Sequence, residues 1–350
     1  MLKSKALISV IKRILYFGLP VVLLSIIFTK IDFQQLWLIL KNANPYLILL
    51  GIILKPMMIV IGSFRWHSMS SFYGQQKLSF SFYAYHYWAG LAIGYFTPGN
   101  LGWDAYRILT VGKQIKSYSS SIITIIAEKF TGLFSVLTMT LIMFPLIANQ
   151  ILENQELYTK AYYFGLLAVF SLILILVFLN RFQGNKVYKR IQVFIGKIIQ
   201  GFSKRLNLSN TYNKVSTDLN LSRNLFSIFN FPSVFLKNFS LSLLILVVAS
   251  VCSQFIFQGL GYQLNFTINL FAAPVFFLLF LIPISFGSIG VREGAFILVY
   301  GLFGVPKEVA LLVSFLNLFG LFLNNIIGAL VIFSKGLKSF KAIEIRENTP

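Results

Sequence analysis

Acidic residues are scarce in this chain of 350 residues: 10 Asp and Glu stand against 30 Lys and Arg, and charged residues make up only 11%. Soluble domains carry about 25% charged residues, so a soluble enzyme or transcription factor is excluded. Cysteine is nearly absent. Cys252 alone allows no internal disulfide and no cysteine metal cage, and it leaves the redox compartment unread. With only His67 and His86 as histidines, a zinc site would need carboxylates that the chain barely has. No metal or other cofactor is expected. No P-loop occurs, so ATP-driven transport has no motif to rest on.

Apolar residues dominate instead, at 57%, with mean hydropathy +0.78. At about 20 residues per span, that total allows at most about ten membrane crossings. Strong runs lie near 14–28, 46–64, 80–96, 119–148, 160–180, 238–260, 269–283, 295–304 and 308–333. In lipid the backbone must satisfy its own hydrogen bonds, which makes these runs helices. Lys3, Lys5, Lys12 and Arg13 precede the first run and no small-residue cleavage site follows, so it reads as an uncleaved span. The net charge of +20 points to basic cytoplasmic loops facing anionic lipid rather than to nucleic acid.

Charge also sets orientation. Segment 181–237 holds ten basic residues and one acid, Asp218, and reads as a cytoplasmic loop, with the N-terminus on the same side. Within it, Val187, Ile191, Phe194, Ile195, Ile198, Phe202 and Leu206 recur at helical spacing among Lys and Arg. That pattern describes either a cationic amphipathic helix in the inner-leaflet interface or a solvated connector. The tail 334–350 returns to the cytoplasm. Parity then requires residues 80–112 to leave and re-enter one face, and residues 269–306 to do the same from the other. The expected architecture is an all-α polytopic membrane protein. It has about six full spans plus two re-entrant or broken-helix hairpins in an inverted repeat, with halves 1–180 and 238–333.

Each hairpin carries a Gly-rich break, TPGNLGWDAYR at 97–107 and ISFGSIGVREGAF at 284–296. Superposed, Gly99–Asp104 and Gly287–Arg292 both read G-x-aliphatic-G-apolar-charge, and such broken helices meet near the midplane in inverted repeats. Asp104 and Arg292 fall at matched offsets, placed to pair across the pseudo-axis. Charges at this depth cost about 2.5–3.5 kcal/mol each and tend to be paired or functional. That singles out Asp104, Arg107, Glu128, Arg292 and Glu293. For Glu128 an ion pair with Arg107 or Lys129 stands equally with function. Arg292 and Glu293, adjacent on a helix, point about 100° apart and serve different partners. Arg65 with Trp66 grips a lipid phosphate or anchors at the interface. Lys55-Pro56 reads as a kink with a snorkelling lysine. Gly90-x-x-x-Gly94 and Gly290-x-x-x-Gly294 read as close-packing faces.

Four stretches together, FRW at 64–66, YFTPGNLGWDAYR at 95–107, IIAEKFTGL at 125–133 and LIPISFGSIGVREGAFILVYGLFGV at 281–305, resemble the lysylphosphatidylglycerol synthase transmembrane (flippase) domain family. The resemblance runs from about residue 10 to 333. It implies an inner-membrane protein that moves or presents a polar, aminoacylated or otherwise modified phospholipid between leaflets. Carried over by position, it makes Pro98, Gly99, Gly102, Asp104, Arg107, Glu128, Gly290, Arg292 and Glu293 site candidates, beside Arg65 and Gly287 from the residues themselves. The bifunctional members continue into an aminoacyl-transfer domain, so a stand-alone member and a transporter rather than an enzyme is expected. The family's first motif commonly has Gly-Gly before its Asp, where this chain has Trp103. Expected partners are the lipid substrate, anionic inner-leaflet lipids, and a second copy of the chain or a separate lipid synthase. The rival reading is a membrane-embedded lipid-modifying enzyme or accessory subunit, with Glu128 or Asp104 acting with His86.

Overall fold

A computed structural model describes residues 20–73, 78–95, 101–148, 231–280 and 288–347, with scattered single residues besides. These form helices and turns, and no strand occurs among the described residues. The helices are α1 (Pro20–Phe28), α2 (Phe33–Lys41), α3 (Pro45–Ile53), α4 (Pro56–Tyr73), α5 (Phe80–Tyr95) and α6 (Leu101–Gln114). They continue with α7 (Tyr118–Ile147), α8 (Pro232–Gly259), α9 (Phe266–Phe280), α10 (Val291–Gly301) and α11 (Lys307–Glu347). Among the described residues, four helical stretches are long and apolar enough to cross a membrane: Pro45–Tyr73, Ser120–Ile147, Pro232–Gly259 and Lys307–Ser334. A fifth follows if α1 and α2, bent by 86°, count as one span. Most of the run at 160–180, the amphipathic pattern at 187–206, and Pro98, Gly99 and Gly287 lie outside the described residues.

Local chemistry explains the breaks. Asp32 starts α2, its Oδ1 accepting from the Gln34 and Gln35 amides at 2.9 and 3.1 Å. Segment 30–44 is thus largely helical, with Leu36 and Ile39 packed on the core. Asn44 caps α3 in the same manner through the Tyr46 and Leu47 amides. Pro56 then lacks the N–H that would continue α3, and Leu54-Lys55 forms a turn inside one apolar span.

Two cores result. One gathers α8 to α11 around Phe257, Phe276, Phe296 and Tyr300, with Phe276 and Phe296 stacked 4.1 Å apart. The other gathers α4 to α7 around Trp66, Tyr83, Tyr87, Val111 and Ile125. Small residues let helices approach: a Cβ on Gly51 would meet the Cys252 carbonyl at 2.6 Å, and one on Gly94 would meet Trp103 Cβ at 2.6 Å. Gly90 also lies against Trp103, as a close-packing face requires. Gly294 does not serve that way, since a Cβ there meets open space.

The α5–α6 and α9–α10 pairs run antiparallel. Gly94 meets Trp103 while His86, just over two turns earlier, reaches the Tyr106 hydroxyl at 2.8 Å. On the other pair, Phe280 faces Arg292, Phe276 faces Phe296, and Asn269 accepts from Tyr300 at 2.7 Å.

Candidate functional site: a buried charge relay

The cluster of α4 to α7 is not wholly apolar. Arg65 on α4, Asp104 and Arg107 on α6, and Glu128 and Lys129 on α7 form one chain of ion pairs. Arg65 Nη2 reaches Glu128 Oε1 at 2.7 Å, and Glu128 Oε2 takes Arg107 Nη1 at 2.8 Å. Arg107 Nη2 then reaches Asp104 Oδ1 at 2.8 Å, and Asp104 Oδ2 takes Lys129 Nζ at 2.7 Å. Signs alternate along the chain, and three cations against two carboxylates leave one positive charge in excess. The three central residues are buried, whereas the Lys129 side chain is 60% exposed. The relay thus runs from the core to the surface.

Helical geometry assigns these partners. Asp104 and Arg107 are three residues apart, so α6 puts them on one face. Glu128 and Lys129 are adjacent, about 100° apart around α7; they serve Arg107 and Asp104 separately instead of each other. The anticipated Asp104–Arg292 pair does not form, because both Asp104 oxygens are occupied within its own hairpin and by α7. Arg65 Nη1 also donates to Ser242 on α8 at 2.9 Å, tying that helix to the relay.

Three rings enclose the Arg107 guanidinium. Its Cζ lies 5.3 Å from the Trp66 ring, 5.2 Å from Tyr87 and 4.5 Å from Trp103. Such contacts contribute about 0.5–2 kcal/mol each, the upper end when desolvated. Trp66 is fully buried, so it is no interfacial anchor. Trp103 is the nearest of the three walls. Four buried N–H groups have no hydrogen-bond partner among the described residues: Arg65 Nε, Arg107 Nε, Trp66 Nε1 and Trp103 Nε1. The site is rich in donors and short of acceptors.

The second hairpin holds a different arrangement. Gly290 adopts φ +80, a conformation that favours glycine. Its amide donates to Glu293 Oε2 at 2.5 Å, and Ser314 of α11 donates to Oε1 at 3.4 Å. Glu293 therefore caps α10 from within, and it is fully buried. Arg292 points elsewhere, its Cζ 5.4 Å from the Phe280 ring and its buried Nη1 without a hydrogen-bond partner among the described residues. It lies within electrostatic reach of Tyr95 at the end of α5. Gly102 sits at the start of α6, its amide donating to Thr97 Oγ1 at 2.8 Å.

The structure thus unites Arg65, Asp104, Arg107 and Glu128 and leaves Gly290, Arg292 and Glu293 as a second group. Sequence reasoning missed the aromatic enclosure and the full role of Lys129. The F-R-W, Y-W and G-W-D strings carried the signal, since each puts a ring next to the packed hairpin. Lys55 departs further from expectation. It does not snorkel: it is 5% exposed and donates to Asn317 Oδ1 at 2.5 Å. The Leu54-Lys55 turn before Pro56 directs it inward, toward α11.

These features define an all-helical membrane protein with a cationic, donor-rich cluster buried beside a broken hairpin. The chain belongs to the family described as the lysylphosphatidylglycerol synthase TM region, which matches residues 6–328. A protein of Archaeoglobus fulgidus described as a UPF0104 membrane protein is 22% identical over 319 residues, spanning 90% of this chain and 94% of that one. No solved structure matches the chain.

Proposed function

We infer that the protein moves a polar phospholipid, aminoacylated or otherwise modified, or a lipid-linked molecule between leaflets. One observation carries the reading: the relay holds a surplus positive charge and four unpartnered N–H donors in the interior of a membrane protein. A lipid phosphate supplies what is missing, namely negative charge and acceptor oxygens. Lys129 offers the exposed approach, and Arg107, Arg65 and Arg292 would share the phosphate in transit. Asp104, Glu128 and Glu293 would balance those arginines or engage a cationic headgroup. Gly99, Gly102, Gly287 and Gly290 would let the hairpin breaks flex as gates.

The finer architecture belongs to the same reading: about six full spans and two hairpins of opposite orientation, related as an inverted repeat around a laterally open cavity. The two large aromatic clusters and the electrostatic reach between Tyr95 and Arg292 support it. The reading includes a location in the bacterial inner membrane with both termini cytoplasmic, supported by the excess of Lys and Arg in segment 181–237. The rival enzyme reading needs a base near its acid. Both Glu128 oxygens are held by arginines, and His86 Nδ1 is engaged with Tyr106. The contacts favour transport.

The test is reconstitution in liposomes with fluorescent phosphatidylglycerol. Flipping should exceed that of protein-free vesicles and be lost when Asp104→Ala and Arg292→Ala are combined. Flipping equal to empty vesicles, or unaffected by that pair, refutes the reading.

A further inference from the structure

One buried ionisable group stands outside the relay. Lys55 occupies the turn between α3 and α4, inside an apolar span of 29 residues. Its stem lies against Gly320 of α11, where a Cβ would come within 2.6 Å of Lys55 Cε. Only glycine leaves room for the lysine. Nζ donates to Asn317 Oδ1, while Asn317 Nδ2 is held by the Val313 carbonyl at 2.8 Å and reaches Ser253 Oγ at 3.5 Å. Among the described residues no carboxylate lies within 4.0 Å of Nζ. The titratable and charged groups facing it are Cys252 on α8 and Arg292 on α10. From α11 it meets the neutral Asn317 and Gly320.

We propose that Lys55 is a proton-exchanging site that couples lipid movement to a proton gradient, an inference that rests on the translocation reading above. Arg107 cannot play this part. A guanidinium does not shed its proton, and two carboxylates fix it in place. Lys55 differs on both counts. A lysine amine exchanges its proton readily when buried, and its neutral form strands no carboxylate. The remaining N–H still donates to Asn317, so both charge states fit the same contacts. The exchange makes and breaks only the Nζ–H bond, with one proton taken from one face and released to the other for each lipid moved.

The charge change is also well placed to act. Ser314 lies one turn before Asn317 on α11 and bonds Glu293, the internal cap of α10. Gaining or losing a cation at Lys55 alters the field at the first turn of α10, where Arg292 and the positive-φ Gly290 sit. The second hairpin thereby senses the proton.

The experiment uses the full chain in liposomes holding fluorescent phosphatidylglycerol outside and a pH-sensitive dye inside, with an imposed difference of about two pH units. One proton per lipid sets a limiting lipid accumulation of about 100-fold, tenfold per unit. The wild type should move lipid faster along one gradient direction than the other, with matching internal pH change, and a protonophore should abolish the asymmetry. In Lys55→Met, flipping should become indifferent to the gradient. Asn317→Asp gives the amine a fixed counter-ion and should remove the asymmetry too, which keeps the test intact if Lys55→Met does not fold. A wild type that flips equally in both directions overturns the proposal and leaves the translocation reading standing. So does a folded Lys55→Met that keeps the asymmetry. Absence of flipping in the wild type overturns both.

Discussion

Replacing Glu128 by Gln is the sharpest perturbation of the relay, because it removes charge while keeping shape. Glu128 accepts from two arginines, through Oε1 at 2.7 Å and Oε2 at 2.8 Å, and its side chain is 3% exposed. The amide keeps one acceptor oxygen but turns an NH2 donor toward the other guanidinium. Surplus charge in the relay rises from one to two. Removing one partner of a buried pair costs about 3–5 kcal/mol, chiefly by leaving the other charge uncompensated. Arg107 retains Asp104 and Arg65 retains Ser242, so the lower end applies, about 3 kcal/mol. The assay is unfolding of the purified protein in mixed micelles, followed by tryptophan fluorescence. Lys113→Gln, at an exposed position on α6, is the reference and should stay within about 0.5 kcal/mol. A double-mutant cycle with Arg65→Gln should show that the second change costs much less once Glu128 is gone. A Glu128→Gln protein as stable as Lys113→Gln refutes the relay as a structural unit.

Arg107→Lys should lose about 2 kcal/mol of stability in the same assay, because a compact ammonium cannot make two parallel bonds to Glu128 and Asp104 or stack within the three rings. Gly62→Ala should disturb the enclosure without touching any charge: its Cβ would meet Tyr87 Cζ at 2.5 Å. A rise in near-ultraviolet aromatic mobility, measured by circular dichroism, checks this. Gly290→Ala should cost about 1–2 kcal/mol, because its φ of +80 strains any L side chain. Its Cβ also meets Leu23 Cβ at 2.8 Å; limited proteolysis should cut near α10 sooner than in the wild type.

Much of this architecture could be read from the chain before its folding was seen. Apolar length located the spans beginning near 46, 119, 238 and 308, because lipid leaves the backbone no alternative to a helix. Scarcity of charge located Asp104, Arg107 and Glu128, because few charges survive at that depth without partners. Partner choice was harder. It depends on which helix face lies opposite which, and matched offsets in two repeats favoured Asp104 with Arg292 over the i,i+3 neighbour Arg107. Lys55 was misread because long lysine stems can snorkel outward, and nothing local indicated that Gly320, 265 positions away, opens a slot for it. The enclosure of Arg107 was also hidden. Trp66, Tyr87 and Trp103 come from three helices, and each ring alone looks like an ordinary apolar residue or interfacial anchor.

The central claim is that the relay's surplus charge draws a lipid phosphate through the protein. It is tested most directly by the rate at which fluorescent phosphatidylglycerol crosses proteoliposomes carrying Lys129→Gln, compared with the wild type. That change neutralises the relay at its exposed end without opening the buried Glu128 pairs. The account predicts wild-type flipping well above protein-free vesicles and a drop of about tenfold in the variant, the loss of one charge-assisted bond. An unchanged rate in a folded Lys129→Gln protein would contradict it.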